Sequence, residues 1–341
     1  MQSHGFNAAH APRVIRGLLA AVELKSRTDF LLPERLDEQL KAAFAPEAGT
    51  LAQKQVSADG TAKLLLRLRD GRTVESVLMP DYREDRAAGC ISSQVGCAMG
   101  CDFCATTQTG FERNLSSGEI VEQFRHLRRE AHATGRVLRT IVFMGMGEPM
   151  LNLKNVLAAI ERIADPKLGA FGWRQITVST VGIVPGIEEL LEASLGVHLA
   201  ISLHAPDDAT RADLLPMGRR FDVNEVLEAA DRYQAASGRI TTIQYCLLEG
   251  VNDSLAQARD LARLLTGRRM HVNLLRYNPT GLSLKGRSYL PSSLEQTEAF
   301  LTALRAHGAI AHLRRARGPD IDAACGQLRK REAAASSAAL M

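Results

Sequence analysis

The chain is predicted to be an α/β protein, a parallel barrel or part-barrel led in by a β-hairpin and a small helical segment. Three observations predict this. From residue 88 onward a strand-then-helix beat recurs about every 25 to 45 residues. Residues 62 to 80, AKLLLRLRDGRTVESVLMP, alternate apolar and polar side chains around Asp70-Gly71. Residues 12 to 45 carry helical periodicity in VIRGLLAAVEL and LPERLDEQLKAAF. At 341 residues and 45% hydrophobic, the chain can bury a large core, and its length suits one large α/β unit with an accessory domain.

The periodic segment is expected to form a small amino-terminal accessory domain over residues 1–60. Residues 61–87 follow as a hairpin lead-in, because Asp-Gly is a preferred pair for a tight turn. The core, 88–318, should place strands at AGCISSQV, RTIVFMGM, RQITVST, GVHLAISLHA, ITTIQYCLL, MHVNLLRY and AIAHLRR. Its helices are SSGEIVEQFRHLRREAH, LKNVLAAIERIAD, VNEVLEAADRYQAA, LAQARDLARLL and SLEQTEAFLTALRAH. Ser116 with Glu119, and Ser293 with Gln296, fit the reciprocal capping box at a helix start. Six or seven such units favour a barrel over a sandwich, and an open doubly wound sheet satisfies the same pattern. Residues 319–341 form a last loop and a low-complexity tail, KREAAASSAALM, expected to fray.

The amino-terminal sequence has no cationic stretch followed by an apolar one, and no run approaches the apolar length of a membrane span, so a cytoplasmic setting is expected. A net charge of +4 permits a polyanionic partner without requiring one. Of six cysteines, Cys90, Cys97, Cys101 and Cys104 cluster while Cys246 and Cys325 stand alone, unlike a disulfide framework. Clustered thiols in a reducing compartment suggest metal. In a parallel barrel, chemistry gathers at the carboxyl ends of strands, and Glu148, Ser179, Ser202, His204 and Asn278 fall there. One ligand could touch all of them.

CAMGCDFC, residues 97–104, has the spacing C-x3-C-x2-C. Cys90 could complete a four-ligand zinc site, although zinc ligands usually come as two close pairs across a longer loop. A four-iron cluster fits the single tight loop better: three thiolates hold three irons and leave the fourth open.

With the GEP motif after the next strand, this spacing resembles a radical S-adenosylmethionine enzyme. CISSQVGCAMGCDFCATTQTGFERNLSSGEIVEQ, FMGMGEPMLNL, ITVSTVGIVP, AISLHAPDDATRADLLP, GVNDS and RGPDIDAACGQL together resemble the RlmN/Cfr family of RNA adenine methyltransferases, over about three quarters of the chain. The resemblance implies a partial (β/α)6 TIM-like radical SAM barrel, a 4Fe-4S cluster on Cys97, Cys101 and Cys104, and S-adenosyl-L-methionine on Gly147, Glu148, Ser179, Ser202, Leu203 (by its backbone), His204 and Asn278. It implies that Cys325 is methylated and carries the carbon, that Cys90 resolves, and that Glu75 accepts a proton. It further implies two S-adenosylmethionines per turnover, 23S rRNA and tRNA as substrates, an electron donor such as flavodoxin or ferredoxin, and a monomer.

The chemistry makes sense of such a route. Adenine carbon 2 is electron-poor and does not attack a sulfonium methyl, so a radical formed on the S-methyl group of Cys325 adds to the ring instead. Proton removal by Glu75 or another base, with attack by Cys90 on the Cys325 sulfur, then frees the base and leaves a disulfide that the cytoplasm reduces. GMGEPM and RGPDIDAACGQL resemble the carbon-2 enzymes more than the Cfr-type enzymes that methylate carbon 8. A distant alternative is a zinc-bearing RNA-binding protein without catalysis. Cys246, mid-strand, matches no family cysteine and is read as structural. Of the basic runs at 126–130, 266–271 and 312–318, the last is expected to face RNA. With 5% aromatics, the target base should enter the barrel mouth singly rather than stack on a platform.

Overall fold

The computed structural model describes residues 7–19, 33–43 and 48–328. The periodic amino-terminal segment yields helices Ala11–Leu19 and Glu34–Ala43. The strands follow in chain order as β1 (Gly49–Val56), β2 (Ala62–Leu68), β3 (Thr73–Pro80), β4 (Arg86–Cys90), β5 (Gln94–Gly96), β6 (Phe111–Asn114) and β7 (Val137–Phe143). They continue with β8 (Ile176–Thr180), β9 (His198–Ser202), β10 (Thr241–Leu247), β11 (Met270–Arg276) and β12 (Ile310–Arg314).

Ten of these make one sheet in the order β1-β2-β3-β4-β7-β8-β9-β10-β11-β12. The pairs from β1 to β4 are antiparallel, and those from β4 to β12 are parallel. Each parallel strand lies beside its predecessor in that sheet, so the strand order never reverses as a doubly wound sheet requires. Crossovers of the usual right hand, repeated in one direction, put the crossing helices on one face, and the sheet curls around its other face into a part-barrel. The crossing helices are Ser117–Ala133, Leu153–Ala164, Val184–Glu192, Val223–Ser237, Leu255–Leu264 and Leu294–Ala306. Strand residues such as Ile141, Val178, Leu199, Ile201, Ile243 and Val272 are fully buried, as expected of parallel strands covered on both faces.

The structure adds elements to the sequence reading. β1 extends the hairpin to three strands; it is an edge strand with mostly exposed side chains, so little alternation marks it. His126 against the Gly49 carbonyl, Glu122 accepting from the Ala48 amide, and a Lys54–Glu130 ion pair hold it to the helix Ser117–Ala133. AGCISSQV is two strands, β4 and β5, and β5 pairs with β6 in a small separate sheet. The helices Val184–Glu192 and Asp208–Leu214 were not anticipated. At Asp70-Gly71 the connection is longer than a two-residue turn: the Gly71 amide donates to the Leu68 carbonyl and Gly71 takes φ 84°.

Ser116 and Glu119 form the reciprocal capping box, an arrangement worth about 1 kcal/mol at the cap. Ser293 caps Gln296, but the Gln296 side chain donates to the Asp253 carbonyl, so the expected second box is half made. The low-complexity tail lies outside the described residues, and among those described no helix is long and apolar enough to cross a membrane.

Gly96 ends β5 one residue before the first cysteine of the cluster loop, with φ 78°; a Cβ there would lie 1.8 Å from the Gly110 carbonyl oxygen. Gly96→Ala should therefore open the small sheet and misplace the cysteine loop. Iron bound per chain after reconstitution is expected to fall well below that of the unmodified protein, and undiminished iron would contradict this.

Candidate active site

The carboxyl ends of the parallel strands open into one cavity. Gly145 and Gly147 after β7, Ser179 on β8, Ser202 and His204 at β9, Gln244 and Cys246 on β10, and Asn278 after β11 line it. Cys97, Cys101 and Cys104 face the same space from the loop after β5, and Cys325 from the last described loop. Nine of the expected site residues thus meet in one place: Cys97, Cys101, Cys104, Gly147, Ser179, Ser202, His204, Asn278 and Cys325.

The cysteine loop is held by polar side chains buried in otherwise apolar surroundings. Gln123 accepts from the Ser92 amide at 2.8 Å and donates to the Ser92 carbonyl at 2.9 Å. Ser92 Oγ accepts from the Met146 amide at 2.8 Å, Gln94 Oε1 accepts from the Glu148 amide at 2.9 Å, and Asn152 Nδ2 donates to the Ser93 and Leu115 carbonyls. Gly147 permits this close pass: its φ is 95°, and a Cβ would meet Gln94 Cβ at 2.5 Å. Within the loop, Thr107 Oγ1 donates to the Cys104 and Cys101 carbonyls. From outside, the buried Asp102 carboxylate accepts from Tyr289 Oη at 2.6 Å and from the Lys285 amide at 2.9 Å. Those two belong to NPTGLSLKGRSY, residues 278–289, and that segment braces the cysteine loop.

The donor set suits an iron-sulfur cluster. Burial, then the neighbouring thiols, push Cys101 well above its ordinary value, and burial also raises Cys97, up to about 12, and Cys104. Three soft donors thus share one dry pocket. Among the described residues no three His, Cys, Asp or Glu side chains gather tightly enough to hold a single ion. Each iron of a cluster takes its own thiolate, so three thiols lining one pocket suit it. Cys90, the fourth ligand a zinc site would need, lines a different cavity.

His204 has an unusual backbone, φ 60°, and its ring meets Phe103 edge-on at 5.0 Å. Its Nδ1 accepts the Cys246 amide at 2.9 Å, which leaves the proton on Nε2 as a donor. Burial first, then Arg211, press its value down to about 3, so the ring is neutral. Asn252 fixes this corner: Nδ2 donates to the His204 and Cys246 carbonyls, each at 2.7 Å, while Oδ1 accepts from the Leu248 amide. GVNDS carries that residue. Cys246, read from sequence as structural, lines the cavity, where burial keeps it a thiol.

Two expected cofactor contacts do not line the cavity with their side chains. Leu203 is fully buried, its amide donating to the Gln244 carbonyl. The Glu148 carboxyl accepts from the Val181 amide at 2.9 Å and the Met150 amide at 3.1 Å, tying the end of β7 to that of β8.

A second cavity adjoins the first and shares Met144, Leu275, Arg276, Asn278 and Cys325 with it. Val77, Met79 and Cys90 form one wall, and Arg314, Arg315 and Arg317 another. The 312–318 run thus faces a cavity beside Cys325. The other basic runs are partly spent inside the fold: Arg128 bonds the Leu19 and Gly169 carbonyls, and Arg268 the Leu264 carbonyl and Asp231. Glu75 lines neither cavity, yet it shares an alternating face of β3 with Val77 and Met79. The Cys325 loop is docked on the cysteine loop by the Ala105 amide, which donates to the Gly326 carbonyl at 2.7 Å, and by Thr106 Oγ1, which donates to the Leu328 carbonyl at 2.9 Å.

Comparison with known proteins supplies relatives. Residues 91–262 match the radical SAM superfamily model. A curated protein of Opitutus terrae named "Probable dual-specificity RNA methyltransferase RlmN 1" is 64% identical over 325 residues, 95% of this chain and 92% of that one. A similarly named protein of Rhodopirellula baltica is 42% identical, over 97% of this chain and 87% of its own. The crystal structure of a radical SAM methyltransferase from Sphaerobacter thermophilus superposes with a TM-score of 0.90 at 40% identity, covering 97% of this chain and 95% of that one.

Burial pushes the Glu148 carboxyl from 4.5 up to about 7, against the lowering pull of its two amide donors. The folded value lies above the unfolded one, so this contribution to stability is complete below the unfolded value and is lost as pH rises through about 7, by ~3 kcal/mol at most. The Tm of the cofactor-free protein should fall across that window more steeply than the Tm of Glu148→Gln. Parallel pH profiles would contradict the assignment.

Proposed function

The chain belongs to the RlmN family of radical SAM RNA methyltransferases, and on that premise we propose that it methylates carbon 2 of an adenine in 23S rRNA and in tRNA, with Cys325 as the carrier of the carbon. One observation carries this reading: Cys325 lines both cavities, the one with the three clustered thiols and the one with Cys90 and the arginines. A carrier must visit a place where it is loaded and a place where it unloads, and a side chain at their junction does both with little movement.

When bound, the cluster on Cys97, Cys101 and Cys104 and S-adenosylmethionine supply the methyl group and a hydrogen-abstracting radical. Gly147, Ser179, Ser202, His204, Asn278 and the backbone of Leu203 bind the latter, with His204 offering its Nε2 proton and Glu148 buttressing the Gly147 turn. The arginines of the second cavity attract RNA phosphate, and a single adenine enters beside Cys90.

The Cys325 sulfur would take the methyl group that one bound S-adenosylmethionine supplies, and that methyl would give up a hydrogen to the radical that a second supplies before its carbon bonds to the ring. In the closing step the ring hydrogen leaves as a proton to Glu75, and the Cys90 proton completes the methyl group. The sulfur-carbon bond breaks as the Cys90–Cys325 disulfide forms, releasing one electron, the equal of the one that cutting the second S-adenosylmethionine consumed. Burial first, then Cys325, holds the Cys90 thiol up at about 12, so it keeps its proton until that moment. A cytoplasmic thiol reductant reopens the pair, and a flavodoxin or ferredoxin supplies electrons.

Cys325→Ala should make no methyladenosine, and any residual product would contradict the carrier role. Cys90→Ala should leave protein bonded to RNA under turnover conditions; a denaturing gel with no RNA-linked band would refute the resolving role.

A further inference from the structure

Lys63 is a buried charge to which the reaction as described gives no part. It lies on β2 opposite Val77, 8% exposed, on the face of the hairpin that carries Glu75. Its Nζ is 3.3 Å from Glu75 Oε1 and donates at 3.4 Å to the Asp322 carbonyl. Asp322, three residues before Cys325, sits in the left-handed region at φ 53°.

The turn that leads into β2 grips the same loop. Ser57 Oγ donates to Asp320 Oδ1 at 2.5 Å, the Ala58 amide donates to Asp320 Oδ2 at 3.3 Å, and the Gly318 amide donates to Asp59 Oδ2 at 3.3 Å. Arg317 approaches Asp59 at 3.9 Å, and Gly318 packs so closely on Thr61 that a Cβ would lie 2.9 Å from its Cγ2. The β1–β2 turn is therefore a clasp on the carrier loop, and Lys63 is the point of that clasp that also touches Glu75.

We propose that Lys63 is a positioning residue that couples Glu75 to the Cys325 loop: one ammonium touches both the buried carboxylate and the carrier loop, and so sets the one at a fixed distance from the other. The inference rests on the carrier and proton-acceptor reading given above. A carboxylate that loses the contact fixing it to the carrier loop no longer stands where it can take a proton from a ring carbon held on Cys325. Loss of Lys63 then acts on release of the product, while loading of the methyl on Cys325, made from the other cavity, goes on.

The test compares Lys63→Met and Lys63→Arg in the full chain carrying its cluster. Intact mass reports Cys325 methylation, and a denaturing gel with time reports RNA-linked protein and its release. Lys63→Met should load methyl yet release RNA roughly a hundredfold more slowly, so that linked protein accumulates, and Lys63→Arg should restore release to within a fewfold. In a Glu75→Gln background, Lys63→Met should add little further slowing, because the two act as one unit. Release at the unmodified rate, an arginine variant as slow as the methionine one, or fully additive effects would each overturn the coupling. Should Lys63→Met fail to fold, the arginine variant and Lys63→Gln carry the same comparison. Failure of the underlying reading looks different: the unmodified protein would then show no methyl on Cys325, or Cys90→Ala no RNA-linked band.

Discussion

The hydrogen bond from the Ala105 amide to the Gly326 carbonyl joins two loops that come from opposite ends of the core. Ala105 directly follows Cys104, the last of the three clustered cysteines, and Gly326 directly follows Cys325, the proposed carrier. With Thr106 on the Leu328 carbonyl and Gln327 Nε2 on the Pro279 carbonyl, it fixes how far Cys325 stands from the three thiols. The part-barrel serves that distance. Its strand ends supply a floor, the polar stitching from Gln123, Ser92, Gln94 and Asn152 holds the cysteine loop above it, and the β1–β2 clasp holds the Cys325 loop from the other side.

Burial gives the site its electrostatic character. Burial leaves His204 neutral, pushes the Glu148 carboxyl up to about 7 and raises the Cys97 thiol, in the first cavity, and the Cys90 thiol, in the second, to about 12. Arg276 lines both cavities, while Arg314, Arg315 and Arg317 line only the second. More positive charge thus lines the second cavity than the one that holds the three clustered thiols. A radical on carbon needs shelter from water and competing hydrogens, whereas phosphate needs positive charge that solvent can still reach.

Much of this was legible in the sequence because the signals are local. Buried parallel strands write continuous apolar runs, C-x3-C-x2-C writes its own ligand spacing, and strand-end polar residues announce a site once the strands are found. What was missed lacks such a mark. β1 is an exposed edge strand, and the break in AGCISSQV is made by polar side chains that reach it from residue 123 and beyond. The Ser293 box failed because Gln296 has a better partner in the Asp253 carbonyl, which only the folded chain brings near. Cys246 read as a mid-strand residue because alternation does not say which strand face looks into a cavity. Lys63 in a hairpin reads as a solvent lysine until Glu75 and Asp322 are brought to it.

The central claim, that two cavities meeting at Cys325 serve methylation of adenine carbon 2, is tested most directly by nucleoside mass spectrometry. The reconstituted protein would be incubated without air with reductant, methyl-labelled S-adenosylmethionine and unmodified 23S rRNA or tRNA. The account predicts labelled 2-methyladenosine in both RNAs; 8-methyladenosine, or no labelled adenosine from protein with an intact cluster, would contradict it.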